Sequence, residues 1–132
     1  MRPRVLIVED NDSLRGILKE QLGFLGMNVF DARDCESAKE LLETSNPMDI
    51  IISDLNMPGG NGLDLFHWIR QNLDNKSKKA ALILMTGFAE EFDSNRARDL
   101  NVEGFLAKPF DGHLLKHMVD SLLEPEPLGK AA

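Results

Sequence analysis

The stretch Asp49-Ile50-Ile51-Ile52-Ser53-Asp54 decides the fold class of this 132-residue chain. Its consecutive isoleucines predict a β-strand that is buried on both faces, as in a parallel sheet covered by helices. The run Val5-Leu6-Ile7-Val8, which is followed by Glu9-Asp10, has the same form. Both runs end in acidic residues, so we expect carboxylates at the carboxyl ends of two buried strands.

Working outward from these two runs, short strands alternate with helical periods. Further strands are predicted at Asn28–Ala32, Ala81–Thr86 and Gly104–Lys108. Stripes at i, i+3, i+4 spacing predict four of the helices: one through Leu14, Ile17, Leu18, Gln21, Leu22 and Leu25, apolar except for Gln21, a second through Ala38, Leu41 and Leu42, a third from Leu63 through Arg70, and the last through Leu114, Met118 and Leu122. A polar helix, the fourth in chain order, is expected over Glu90–Leu100. Five strands in strict alternation with five helices predict an α/β fold, a parallel sheet with helices on both faces.

Polar residues and glycine mark the expected helix ends. The stretch Asn11–Ser13 supplies N-cap residue types for the first helix, and Gly26 fits its end. Asn46-Pro47 ends the second helix, since the residue before a proline avoids the helical region. We expect Asn101 to close the fourth helix in a left-handed conformation and Asp111 to cap the fifth.

The composition excludes several classes of protein. Hydrophobic residues make up 42% and charged residues 28%, which is ordinary globular usage and argues against disorder, collagen or coiled coil. The 22 acidic residues outnumber the 15 basic ones, and this net charge of −7 argues against direct binding of nucleic acid or an anionic membrane. A single cysteine, Cys35, excludes an intramolecular disulfide and fits a reducing compartment. Without a signal peptide or a run of about 20 apolar residues, a cytoplasmic protein is expected.

The domain organisation expected from this length is one domain over residues 1–123, followed by a linker or tail over residues 124–132. The start at Met1 suggests an authentic N-terminus. Whether an output domain follows residue 132 is left open.

The carboxyl ends of the predicted strands carry the groups that suggest a function. If the first, third, fourth and fifth strands are neighbours, one crevice collects the following side chains: Glu9, Asp10, Asp54, Thr86 and Lys108. Two carboxylates about 4 Å apart repel by roughly 4 kcal/mol at an effective dielectric constant of ~20, so either a positive charge offsets this repulsion or the pKa of a carboxyl group rises. Lys108 supplies one positive charge, and Mg²⁺ with a phosphoryl ligand suits the rest. Asp54 could then act as a nucleophile that forms an aspartyl phosphate, with the Thr86 hydroxyl as a hydrogen-bond donor.

These motifs resemble the receiver domain of bacterial two-component response regulators. The resemblance covers Val5 to about Leu123 and rests on motifs that occur in the family's order and spacing: Val5-Leu6-Ile7-Val8-Glu9-Asp10, Ile51-Ile52-Ser53-Asp54-Leu55-Asn56-Met57-Pro58 with Gly62, Met85-Thr86-Gly87, and Phe105-Leu106-Ala107-Lys108-Pro109-Phe110. It implies a flavodoxin-like (βα)5 fold with strand order 2-1-3-4-5. It also implies a signalling phosphoacceptor that assists its own phosphorylation and dephosphorylation, rather than an enzyme.

The resemblance also implies a role for each matched residue. Asp54 would be the phosphoacceptor in a site for Mg²⁺, or for Mn²⁺ in its place. The implied ligands and supporting residues are Asp10, Asp54, the backbone carbonyl of Asn56, Glu9 acting through water, and the loop residues Met57, Pro58 and Gly62. Lys108 would pair with the phosphoryl group, Thr86 and Phe105 would form the switch, and Pro109 would follow a cis peptide bond.

The implied partners are a sensor histidine kinase or a phosphotransfer protein, with acetyl phosphate as a small donor. Phosphorylation would change the face of the fourth helix, last strand and last helix, which would serve a homodimer or an output partner. The sequence departs from the usual family pattern at Gly87, where alanine is usual, and this should leave the phosphoryl site more open. The acidic pair Glu9-Asp10 stands where Asp-Asp is also common.

Alternatives stay open beside the receiver interpretation. A receiver-like scaffold that takes no phosphate is one, and a haloacid-dehalogenase-like phosphatase with Asp10 as its nucleophile is another. A flavin-binding module is disfavoured because Glu9-Asp10 places negative charge where a phosphate would bind. Phe105 could also be an ordinary core aromatic residue.

Overall fold

The chain forms a layered α/β fold, seen in a computed structural model that describes residues 2–45, 47–57, 59–73, 80–87, 94–108 and 111–123. In these ranges the elements follow one another in this order: β1 Arg4–Val8, α1 Asp12–Phe24, β2 Asn28–Ala32, α2 Cys35–Thr44, β3 Ile50–Asp54, β4 Asn56–Met57, β5 Gly60–Asn61, α3 Gly62–Asn72, β6 Ala81–Gly87, α4 Ser94–Asp99, β7 Val102–Lys108 and α5 Gly112–Leu123.

The main sheet of the described residues has the strand order β2-β1-β3-β6-β7, and every neighbouring pair is parallel. In chain order these are the first to fifth long strands, so the predicted order 2-1-3-4-5 and the flavodoxin-like fold are confirmed. The order reverses between β1 and β3, where the crossovers turn to opposite sides of the sheet. Doubly wound sheets place their ligand crevice at this switch point, beyond the carboxyl ends of the strands.

Two apolar layers sandwich the sheet because side chains alternate along each strand. In β1, Leu6 and Val8 join the layer that contains α2 and α3, whereas Val5 and Ile7 join the layer under α1 and α5. All four are fully buried. The continuous apolar runs in the sequence arise because both faces of the sheet are covered.

The predicted helix ends are confirmed where the structure describes them. The Asn11 side chain accepts a hydrogen bond from the Leu14 N–H at 2.9 Å and caps α1. Gly26 follows the helix at φ +86°, and Asn101 adopts φ +57° after α4. The Asp111 side chain accepts from the Leu114 N–H at 2.8 Å and caps α5.

The structure adds one hairpin to the predicted elements, corrects the placement of one side chain and describes part of one predicted helix. The turn-rich stretch after Asp54 contains an antiparallel two-residue hairpin, β4 with β5, which the sequence pattern did not indicate. Ile17 belongs to the stripe that predicts the first helix and would face the core, but the residue is 52% exposed. The fourth helix is described only from Ser94, because residues 88–93 lie outside the described ranges.

The predictions for Pro58, Pro109 and the tail over residues 124–132 also lie outside the described residues. Within the described ranges, none of the helices has the length and apolar character needed to cross a bilayer.

Candidate functional site

The strand register brings the predicted acidic and basic groups together. Val8 of β1 lies opposite Ser53 of β3, so the next residues, Glu9 and Asp54, come side by side. Across the sheet, Gly87 at the end of β6 lies opposite Lys108 at the end of β7. Parallel strands present their carboxyl ends at one edge, and this edge therefore holds the charged groups.

Glu9 is a buried carboxylate, with 1% of the residue exposed. One of its oxygens accepts a hydrogen bond from the Asn11 N–H at 2.9 Å, and the other accepts one from the Lys108 ammonium at 3.0 Å. Burial raises the pKa of Glu9, and the nearby Asp54 and Asp10 raise it further, although the two hydrogen bonds act against them. The ionised form of Glu9 is therefore less stable here than in water, and additional positive charge nearby would stabilise it.

Lys108 joins Glu9 to Asp54. Its Nζ lies 2.9 Å from Oδ2 of Asp54 and 3.0 Å from Oε1 of Glu9. Burial lowers the pKa of Lys108, but hydrogen bonds and charge from the two carboxylates outweigh this, so the pKa is raised overall. The ammonium therefore stays charged and fixes the Asp54 side chain, whose residue is only 4% exposed.

Asp10 adds a third carboxylate on the solvent side. In the described part of the chain, ligand oxygens of Glu9, Asp10 and Asp54 all lie within 4.8 Å of one another. Asp10 is exposed, whereas the other two are buried. An all-oxygen, all-anionic donor set that is open to water on one side fits a hard divalent cation such as Mg²⁺, which retains several water ligands.

The loop after Asp54 is held tightly beneath the acidic group. The Leu55 N–H donates to the Met85 carbonyl at 2.8 Å, and the Gly62 N–H donates to the Leu55 carbonyl at 2.8 Å. A Cβ on Gly62 would lie 2.5 Å from the Asp54 carbonyl oxygen, a distance that real Cβ atoms do not reach. Only glycine at position 62 lets the helix α3 begin directly against the strand end.

Four further predicted site residues lie on β6, on β7 and in the hairpin. Thr86 is 8% exposed near the end of β6, and by strand alternation it continues the row of Leu82 and Leu84. Phe105 is 45% exposed on β7, so the interpretation of Phe105 as a core residue is wrong. In the hairpin, Asn56 is exposed and Met57 is half-buried against the core.

Sequence reasoning gave no role to Arg15. Its guanidinium donates to the Glu9 carbonyl at 2.9 Å and to side chains of Asp12 and Asp31. The sequence signal is weak, since an arginine in the first turns of a helix has many possible partners. Only the packing of α1 beside β2 brings these acceptors together.

Comparison with known protein families gives one match that spans most of the chain. The profile described as "Response regulator receiver domain" matches residues 5–120. The chemotaxis protein CheY of Pseudomonas aeruginosa is 32% identical over 122 residues, which cover 92% of this chain and 96% of that protein. The transcriptional regulatory protein CpxR of Escherichia coli K12 is 32% identical over 120 residues, but this match spans only 49% of CpxR.

Solved structures agree with these sequence matches. The chemotaxis response regulator CheY4 of Vibrio cholerae superposes with a TM-score of 0.82 at 25% identity, covering 93% of this chain and all of that one. A response regulator receiver protein from Pseudomonas putida gives a TM-score of 0.80 at 30% identity, covering 92% and 98% of the two chains.

Proposed function

This chain belongs to the response regulator receiver domains of two-component systems, and from that premise we propose that Asp54 accepts a phosphoryl group and thereby switches a protein-docking face. The donor would be a phosphohistidine on a sensor histidine kinase or a phosphotransfer protein, or a small phosphodonor such as acetyl phosphate. The expected cytoplasmic location stays a prediction that accompanies this proposal.

The contact that supports this proposal most directly is the one between Lys108 and Asp54. An ammonium at 2.9 Å orients one carboxylate oxygen and stands where negative charge would develop on a transferred phosphoryl group. The Asp54 oxygen would attack phosphorus, forming an O–P bond. The N–P bond to the donor histidine would break, and its electron pair would leave with the imidazole nitrogen.

The acidic group fits the divalent cation that this chemistry requires. Asp10, Asp54 and the backbone carbonyl of Asn56 would hold Mg²⁺, or Mn²⁺ in its place, with Glu9 acting through water. The ion would neutralise charge on the phosphoryl oxygens, which is the contribution of metal ions in phosphoryl transfer generally. Gly62 and the hairpin keep the Asp54 peptide in place while the side chain reacts.

The proposed output is a change of the face formed by α4, β7 and α5. The Thr86 hydroxyl would move to donate a hydrogen bond to a phosphoryl oxygen, and Phe105 would rotate inward into the space so opened. The 45% exposure of Phe105 agrees with an unphosphorylated state in which the ring lies outward. This is a shift between two populations, and the altered face would serve a homodimer or an output partner.

The rival functions fit the geometry less well. A phosphatase with Asp10 as its nucleophile would need that carboxylate to be oriented, but the recorded Lys108 contacts go to Asp54 and Glu9. If the protein were a receiver-like scaffold that takes no phosphate, the buried cluster of charged side chains would have no functional explanation. The two rivals differ from the proposal in which residue carries phosphate, and this can be measured.

The test is intact-mass measurement after incubation with acetyl phosphate and Mg²⁺. We expect the wild-type chain to gain one phosphoryl group and the Asp54→Asn variant to gain none. Asp99→Asn, which changes an exposed carboxylate on α4, is the matched control and should behave as wild type. Omitting Mg²⁺ should also abolish the gain.

Two results would contradict the proposal. Phosphoryl uptake that persists in Asp54→Asn and disappears in Asp10→Asn would favour the phosphatase. No uptake from acetyl phosphate, together with none from several phosphorylated histidine kinases, would favour the receiver-like scaffold.

A further inference from the structure

Arg15 of α1 connects the Glu9 backbone to Asp31 of β2. Its guanidinium makes three hydrogen bonds in three directions: to the Glu9 carbonyl at 2.9 Å, to Oδ2 of Asp31 on β2 at 3.0 Å, and to Oδ1 of Asp12 at 2.6 Å. The side chain is only 17% exposed. Such a fork of fixed donors is available to arginine but not to lysine.

The bond to the Glu9 carbonyl fixes one peptide plane. That carbonyl belongs to the peptide unit between Glu9 and Asp10, and peptide units are planar. The Glu9 N–H is held on its other side by the Ala32 carbonyl at 3.1 Å, and the Glu9 side chain is held by Asn11 and Lys108. Fixing the carbonyl therefore also fixes the positions of the Asp10 N and Cα atoms, from which the Asp10 side chain extends.

We propose that Arg15 is a positioning residue that orients the Glu9–Asp10 peptide for divalent cation binding. This inference rests on the proposed function and names a further residue in that site. Arg15 acts through the Glu9–Asp10 backbone, and its bond to Asp31 holds its own guanidinium in place. This orientation matters most for Asp10, which is exposed, and less for Glu9, which is already held by burial.

Charge does not explain the position of Arg15. A cation beside a cation-binding site would by itself weaken Mg²⁺ binding, because like charges repel. Here the guanidinium is paired with the carboxylates of Asp12 and Asp31, so much of its field is cancelled locally. If Arg15 orients the Glu9–Asp10 peptide, its replacement should weaken Mg²⁺ binding. If only its charge mattered, its replacement should strengthen Mg²⁺ binding. The two explanations can therefore be distinguished by measurement.

The experiment measures the Mg²⁺ dissociation constant of the full chain by isothermal titration calorimetry. We expect Arg15→Met to weaken Mg²⁺ binding by about tenfold or more, the usual effect of removing a group that orients metal ligands. Arg15→Lys should lose nearly as much although it keeps the charge, because one ammonium cannot span the three acceptors. Urea unfolding of each variant ensures that only folded protein is compared.

The matched control is Lys19→Met, which removes a positive charge that also contacts Asp31 but does not touch the Glu9 carbonyl. It should bind Mg²⁺ within about twofold of wild type, since exposed ion pairs contribute little. Saturating Mg²⁺ should restore phosphoryl uptake in Arg15→Lys, because the defect lies in holding the ion. A general loss of structure would not be rescued in this way.

The outcomes separate this inference from the proposed function. Arg15→Met that binds Mg²⁺ as tightly as wild type or more tightly would overturn the positioning role, and so would an equal loss in Lys19→Met. Wild-type protein that binds Mg²⁺ but takes no phosphoryl group would overturn the proposed function while the effect of Arg15 is still read by calorimetry. A wild type without Mg²⁺ binding would overturn both.

Discussion

The two ends of the parallel sheet hold charged residues in different ways. At the carboxyl end, the carboxylates of Glu9, Asp10 and Asp54 lie within 4.8 Å of one another, the Lys108 ammonium contacts Glu9 and Asp54, and negative charge is in excess. At the amino end, Arg70 of α3 pairs with Glu103 of β7 at 3.3 Å, and the two charges balance. An excess of like charge is unfavourable for the protein by itself, whereas a balanced pair is not.

The groups at the amino end mainly serve backbone hydrogen bonds. The Arg70 guanidinium donates to the carbonyls of Leu100 at 3.1 Å, Ala80 at 3.2 Å and Asn101 at 3.3 Å. The Glu103 carboxylate accepts from the Leu82 N–H at 3.0 Å, where the register between β6 and β7 shifts. The hydrogen bonds at this end therefore connect α3, the end of α4 and two strands, and their role is to stabilise the fold.

The largest expected effect would test the structural side of this comparison. Arg70→Ala should lower the free energy of unfolding by about 3 kcal/mol, because it leaves several carbonyls and Glu103 without their donor. Urea denaturation checks this. Lys116→Ala, which removes an exposed pair with Asp120 on α5, should change stability by no more than about 0.5 kcal/mol. Mg²⁺ affinity of Arg70→Ala should match wild type, and a large loss there would mean that the two ends are coupled.

Removing one carboxylate from each end of the sheet should change the free energy of unfolding in opposite directions, by less than the loss of Arg70. Asp54→Asn should raise the free energy of unfolding by about 1 kcal/mol in the absence of Mg²⁺, because it relieves repulsion while Lys108 keeps Glu9 as a partner. Glu103→Ala should lower it by about 2 kcal/mol, since the Leu82 N–H loses its acceptor. Glu103→Gln keeps an acceptor and should stay close to wild type. Destabilisation in Asp54→Asn would show that charge at the carboxyl end is already compensated.

The smallest expected effect is a difference in pH dependence. Burial raises the pKa of both Glu9 and Glu103 above 4.5, so the protonated forms stabilise the fold. Each contribution is fully present below about pH 4.5 and is lost as the pH rises through the raised pKa. Stability should therefore gain, by less than about 1 kcal/mol per group, as the pH falls from about 7.5 to about 4.5.

Mg²⁺ should abolish the gain from Glu9 and leave that from Glu103, because a bound cation favours the ionised Glu9. The measurement is the urea midpoint of wild type, Glu9→Gln and Glu103→Gln across this pH range, with and without Mg²⁺. Comparing the variants with wild type gives the contribution of each glutamate to the pH dependence of stability. An equal response of both glutamates to Mg²⁺ would contradict the comparison.

The carboxyl end was the more predictable of the two from sequence. Acids that end apolar runs are visible as a pattern, and the rule that parallel strands end at one edge brings Glu9, Asp54 and Lys108 together. The five long strands were predicted correctly from the alternation of strand and helix patterns. Their order was implied by the resemblance to receiver domains and not by the residue pattern.

The amino end could not be predicted because it depends on an irregularity. The Glu103 carboxylate accepts the Leu82 N–H where the strand pairing shifts between Leu82 and Ile83. The residue pattern does not indicate that shift. The β4–β5 hairpin is too short for strand periodicity, and the exposure of Ile17 shows that an apolar residue on a helix need not be buried. The reach of Arg15 likewise depends on how α1 packs beside β2.

The contact between Lys108 and Glu9 joins residues 99 positions apart, and this has a consequence for folding order. During synthesis the amino-terminal part of the chain emerges first, so β1, β2 and β3 can pair before β7 exists. A nascent chain at that stage holds all three carboxylates but no Lys108, and it lacks the counter-charge that draws the cluster together. Completion of the charged cluster therefore requires that the last strand has docked. Under the proposed function, a chain without β7 in place would not be competent to accept a phosphoryl group.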